Sequence, residues 1–243
     1  MSTRDAWRVL REATQARVGL GRAGDALPTA EILRLDAAHA LARDAVHSPL
    51  DVDTLTADLR EASGLDVVRV ASEAADRTEY LQRPDLGRRL ADGDALHPDE
   101  WDLAVVVADG LSARAVQSHA AGALAALLPR LEGWSVAPPV VATQARVALG
   151  DDVGSRLGAA MVLVLIGERP GMSAPDSLGA YLTWGPRRGR ADSERNCVSN
   201  IRPPHGLSYA RAAEVLAALL TESRRRQLSG VELKDTGDAL PPA

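Results

Sequence analysis

The chain has 243 residues, 46% of them hydrophobic but only 3% aromatic and none of them Phe, so one large domain, or a small plus a medium one, has to build its core from Ala, Leu and Val. A formal charge of −5, with Arg and acidic residues interspersed, leaves no nucleic-acid footprint. A single Cys excludes an internal disulfide and a multi-cysteine metal cluster, no N-terminal apolar stretch resembles a signal peptide, and the longest apolar runs are far too short to span a bilayer, so the expected location is the cytoplasm.

Ser2 or Thr3 can cap a first helix carrying Ala6, Leu10 and Ala13 on one face, and Gly19, Gly21 and Gly24 end it. Thr29 opens a second helix through Ile32, Leu35, His39 and Val46, stopped by Pro49, and Asp51 or Asp53 caps a third with Leu55, Leu59 and Ala62 before Gly64. Residues 1–64 therefore read as a small helical N-terminal subdomain.

After Gly64 the rhythm changes to short apolar runs separated by helical stretches, the pattern of a parallel sheet with crossover helices. Strands are expected at 67–71, 103–108, 140–143, 161–166 and 180–184. Ser112 caps a long helix through Ala115, Val116, Leu124 and Leu128, and Ser208 caps the last, running to Leu228 with Gly230 beyond its end. The fold class is thus α/β, with a Rossmann-like three-layer sheet domain over 65–234 and a frayed tail at 235–243.

Gly167-Glu168-Arg169-Pro170-Gly171 follows Met161-Val162-Leu163-Val164-Leu165-Ile166, the most apolar run in the chain. A buried strand whose carboxyl end opens onto such a loop is where open α/β sheets hold ligands. Gly19-Leu20-Gly21-Arg22-Ala23-Gly24 matches the dinucleotide fingerprint in letters, but a helical pattern precedes it and Pro28 delays the next helix, so an oxidoreductase using a nicotinamide cofactor is only the alternative reading. His119-Ala120-Ala121-Gly122 has part of a signature by which histidine binds cobalt in some cobalamin proteins. Gln117 stands where that signature has its Asp, and His119 falls in mid-helix, so no histidine is assigned to a metal. Lone Cys197 has no identifiable base and reads by itself as an inert small hydrophobe.

Several segments in order carry a resemblance: Ala16-Arg17-Val18 into Gly21-Arg22-Ala23-Gly24, then the run from Tyr80 through Gln82-Arg83-Pro84-Asp85 to Leu90, then Asp109-Gly110-Leu111-Ser112, the loop at 167–171, Pro175 to Tyr181, and Glu194 to Ile201. Together they resemble the small (light) subunit of ethanolamine ammonia-lyase, a hetero-oligomeric radical enzyme of ethanolamine catabolism that uses adenosylcobalamin. The resemblance implies that the substrate and catalytic residues lie on a large subunit, a β/α barrel, so this chain is expected to hold no catalytic residue. It also implies cobalamin contacts from Val147 of Arg146-Val147-Ala148-Leu149-Gly150-Asp151-Asp152, from Glu168 and from Cys197. A bacterial microcompartment is the alternative location, but the helical pattern here starts within a few residues of Met1, where relatives often carry a variable tail, which argues against a role tied to that tail. A third reading is an assembly subunit without cofactor contact.

Overall fold

The computed structural model describes residues 3–93 and 96–234; the Ser2 cap and the tail at 235–243 lie outside them. Three helices lead: α1 (Thr3–Ala13), α2 (Thr29–His47) and α3 (Val52–Ser63). The Asp51 side chain accepts the Thr54 N–H at 3.1 Å at the start of α3, and Gly64, left-handed at φ 69°, closes it. β1 (Val68–Ala71), α4 (Arg77–Gln82), β2 (Leu103–Ala108), α5 (Ala113–Leu127), β3 (Val140–Thr143), α6 (Leu149–Leu157) and β4 (Met161–Gly167) follow. The chain then runs through β5 (Leu178–Trp184), β6 (Arg195–Ile201) and α7 (Tyr209–Arg226).

The described residues form an α/β fold of a six-stranded sheet, ordered β1-β3-β2-β4-β5-β6, and seven α-helices. β1, β3, β2 and β4 run parallel, whereas β5 lies antiparallel to β4 and β6 antiparallel to β5. The sheet is therefore mixed, which corrects the expectation of parallel strands throughout. The connections 168–177 and 185–194 are shorter than the dozen or so residues that a crossover between parallel strands needs, so each strand turns back beside its predecessor.

β2 and β4 are buried along their whole length, which is why their sequences are continuous apolar runs. Leu103, Val105 and Val107 face Val116, Ala120 and Leu124 of α5, together with Leu55 and Leu59 of α3 and Leu216 and Leu220 of α7. Ala104, Val106 and Ala108 face Leu149, Val153 and Leu157 of α6. Helices thus cover both faces, and the chain leaving β2 goes to one face while the chain leaving β3 goes to the other. That divergence opens a crevice at the carboxyl ends of the parallel strands.

The strands at 103–108 and 140–143 fall where the sequence puts them, and β1, β4 and β5 differ from expectation only at their ends. The last helix stops at Arg226 instead of Leu228, because Gln227 turns left-handed at φ 55°. α4 and β6 were not among the expected elements, and α6 starts just after Val147, where the resemblance implies a helix start. No helix among the described residues is long and apolar enough to cross a membrane.

Candidate functional site

The crevice is assembled around Asp109, at the end of β2. Its carboxylate accepts the N–H of Ala145 at 2.9 Å and of Gln144 at 3.0 Å and an Arg77 N–H at 3.3 Å. Burial pushes the Asp109 carboxyl above the usual range, and those donors, Ala145 foremost, oppose the shift. This tie bends the chain after β3, where Gln144 is held at φ 53°, and delivers Arg146 and Val147 to the crevice. The Arg146 N–H donates to the Gly87 carbonyl at 2.7 Å, joining the segment after α4 to the same wall. Gly110 and Gly167 let the ends of β2 and β4 meet, with the Leu111 N–H donating to the Gly167 carbonyl at 2.9 Å.

The result is a cleft of two adjoining lobes, about 530 and 450 Å³, that share Arg146, Val147 and Tyr181. The first lobe is lined further by Leu111, Ile166 and Glu168, the second by Ala148, Arg88 and Cys197. Val147 from the connection after β3, Glu168 from the connection after β4 and Cys197 from β6 therefore line one continuous cleft.

Glu168 leaves β4 and accepts the Ser177 and Ser199 hydroxyls and, at 3.2 Å, the Asn200 N–H. It thereby ties its own loop to the end of β6. An ionised carboxylate has about four lone-pair sites, so one acceptor position stays open on this partly exposed group.

Cys197 reaches the cleft through the pleat of β6. A bulge sets the Leu178–Ala180 stretch of β5 opposite Val198–Ile201, and Tyr181 pairs directly with Cys197. Val198 turns toward the α7 side, while Arg195 and Cys197 share the α6 side, where Arg195 meets Asp151 at 2.6 Å. Cys197 is exposed at the lobe's edge, yet desolvation by the surrounding walls raises its thiol pKa, Glu168 adding to the rise and Tyr181 opposing it. Only the thiolate attacks an alkylating reagent. Cys197 of the purified chain should therefore react with iodoacetamide at neutral pH more slowly than free glutathione, as followed by mass spectrometry. A rate equal to or above that of glutathione would contradict the assigned environment.

The other sequence candidates lie apart from this chemistry. The glycine run at 19–24 connects α1 to α2 with no strand before it, and Pro28 occupies the position before α2, so its helical context is as expected. His119 is buried within α5, its Nδ1 2.8 Å from the Tyr209 hydroxyl, and burial lowers its pKa. Among the described residues no group of three or more His, Cys, Asp or Glu is arranged to hold a metal ion. The residues not singled out from sequence are Arg146, Tyr181, Tyr80 and Asp109. Each lay inside a quoted motif, and the missing signal was the pairing that turns it inward.

The segment at 4–234 matches the family described as ethanolamine ammonia-lyase light chain (EutC). The chain is 52% identical over 236 residues to the ethanolamine ammonia-lyase small subunit of Rhodococcus erythropolis, covering 97% of this chain and 92% of that one. The small subunit of Azotobacter vinelandii is 54% identical over 247 residues, with 98% and 91% covered, and that of Xanthomonas campestris 55% over 245 residues, with 97% and 89%. Near-complete coverage in both directions at this identity includes every segment that builds the cleft, and the chain belongs to the ethanolamine ammonia-lyase light chain family.

Proposed function

We propose that this chain is the small subunit of an adenosylcobalamin-dependent ethanolamine ammonia-lyase, which converts ethanolamine to acetaldehyde and ammonia, and that it holds one side of the corrin at the interface with the catalytic large subunit. The observation that carries the reading is the convergence of Val147, Glu168 and Cys197, distant in sequence, on one cleft at the carboxyl ends of the strands. The donor set fits the ligand. A corrin is a broad apolar disc rimmed with amides, and the cleft offers Leu111, Val147, Ala148 and Ile166 for the disc and the open acceptor position of Glu168 for an amide N–H. Bound adenosylcobalamin supplies cobalt–carbon homolysis, which starts hydrogen removal from the carbinol carbon so that the amine can leave. The residues of this chain orient the cofactor and exclude water, and none is assigned a catalytic step. A β/α-barrel large subunit would provide the other wall.

On the same reading, the parallel part of the sheet with helices on both faces is Rossmann-like, and α1 to α3 form the leading subdomain, although α3 also packs into the main core. The assembled enzyme is expected in the cytoplasm, with a microcompartment as the alternative.

The purified chain alone should show no ammonia-lyase turnover and only weak adenosylcobalamin binding, and both should rise when the large subunit is coexpressed with it. Within that complex, Glu168→Ala should weaken cobalamin binding by roughly 5- to 150-fold, the effect of stranding a buried donor at about 1–3 kcal/mol. Glu168→Gln, which keeps one acceptor oxygen and the side-chain volume, should lose less. Turnover by the small chain alone would overturn the proposal. Unchanged affinity in both variants, with normal melting temperatures, would leave an assembly subunit without cofactor contact.

A further inference from the structure

Arg146 is anomalous among the partly buried arginines of this chain. Arg77 donates to the Val46 and Gly110 carbonyls, both at 2.8 Å, and to Asp109. Arg195 meets Asp151, and Arg202 donates to Gln15 at 2.8 Å. The Arg146 guanidinium, in contrast, makes no hydrogen bond or ion pair with any described residue, and its Nε is buried with no acceptor. It is nevertheless held in place. Its Cζ lies 4.4 Å from the centre of the Tyr80 ring, which Arg77 also approaches, at 4.8 Å, and which is anchored by a 3.1 Å bond from its hydroxyl to the Ala145 carbonyl. Arg146 also lines both lobes of the cleft.

A fixed cation with unused donors, one of them buried, is costly unless something arrives to accept from it. A planar guanidinium already oriented by a ring face loses little freedom when an acceptor docks, and it suits two-oxygen or paired acceptors. Adjacent Val147 and Ala148 supply apolar wall and no acceptor side chain of their own. Resting on the corrin reading above, we infer that Arg146 is a ligand-binding residue whose guanidinium donates to an oxygen acceptor of the bound corrinoid. Two parts of a cobalamin carry that chemistry: the carbonyls of its peripheral carboxamides, and the phosphodiester of its nucleotide arm.

The test uses the complex of both subunits and titrates hydroxocobalamin and dicyanocobinamide, which keeps the carboxamides but lacks the phosphodiester and terminal base, by absorbance. Arg146→Met keeps the aliphatic stem against Gly87 and Tyr80 and removes the donors; it should weaken hydroxocobalamin binding roughly 10- to 100-fold, the range for a charge-assisted hydrogen bond. Arg146→Lys, a charge without the planar fork, should recover part of that loss. A parallel loss for cobinamide assigns the contact to a carboxamide, and a loss confined to hydroxocobalamin assigns it to the phosphodiester. Because the methionine variant can also disturb the Tyr80 stack, the unmutated complex is treated with phenylglyoxal with and without hydroxocobalamin, and modification of Arg146 should fall when the corrinoid is present. If the unmutated complex binds corrinoid while Arg146→Met binds both ligands unchanged, or while Arg146 labelling is indifferent to corrinoid, this inference fails alone. If the unmutated complex binds no corrinoid, the function proposed above fails with it.

Discussion

Replacing Asp151 with Ala is expected to destabilise the protein by about 3–5 kcal/mol, because it strands the positive charge of Arg195 in the interior. The two side chains are 1% and 2% exposed and form a two-pronged pair, Nη1 to Oδ1 at 2.7 Å and Nη2 to Oδ2 at 2.6 Å. The Thr183 hydroxyl and the Arg190 carbonyl accept from the same guanidinium at 2.8 and 3.1 Å. Neither carries a charge, and Asp192, 3.6 Å from Nε, is 77% exposed, so its screened charge replaces little of what is lost. The double replacement Asp151→Leu with Arg195→Met removes both charges while keeping apolar volume, and should cost less than Asp151→Ala alone. Denaturant midpoints of the two variants decide the matter. A single variant within 1 kcal/mol of the parent would mean that water reaches Arg195, and that β6 is not pinned to α6 as described.

Gly167→Ala is the second large effect, expected at about 3 kcal/mol, the upper end of what overpacking costs. A Cβ there would lie 2.0 Å from the Ser112 carbonyl oxygen and 2.6 Å from that of Asp109. Both obstacles are backbone, so no rotamer change relieves the overlap, and the ends of β2 and β4 must part. Parting them breaks the Leu111 to Gly167 bond and shifts the wall that carries Glu168. Gly171→Ala, in the same loop, meets nothing closer than 3.8 Å and should leave the melting temperature within 2 °C or so, a change of less than about 0.5 kcal/mol. Equal stability of the two variants would contradict the close approach of the two loops.

The parts of this fold that the sequence discloses are those whose burial is one-dimensional. β2 and β4 are covered on both faces, so every residue is apolar and the run needs no context to be seen. The caps at Asp51, Ser112 and Ser208 are equally local, each being one side chain accepting an N–H three residues on. β6 was hidden for the opposite reason. Its buried residues are Arg195, Val198 and Ile201: the first two face opposite sides, the bulge separates the last two, and the first is a charge whose partner lies in α6. A period-two search passes over such a strand. α6 was obscured in the same way: Asp151 and Asp152 are both buried, the latter holding Arg188 at 2.7 Å and the Leu90 N–H at 3.2 Å, so its inward face reads as polar. The loop carrying Glu168 was marked by the apolar run before it, but Val147 and Cys197 were reachable only through resemblance. Their proximity depends on the order of strands and on Asp109 bridging two loops, neither of which any local spacing encodes.

The clamp between α6 and β6 also bears on how the chain is made. Asp151 leaves the ribosome 44 residues ahead of Arg195, after three of the four parallel strands and well before the edge strand that carries its counter-charge. During that interval the nascent sheet can pair β1, β3, β2 and β4, but the helix packed beneath it still holds an acid with nothing to neutralise it. Burial raises the Asp151 carboxyl, and the Arg195 guanidinium that opposes that rise is absent until synthesis passes it. A chain stalled or cleaved before that residue keeps the apolar centre of the sheet but lacks one rim of the cleft. Completion of the second lobe thus waits for the last strand, late in translation, whereas every residue lining the first lobe has by then been made.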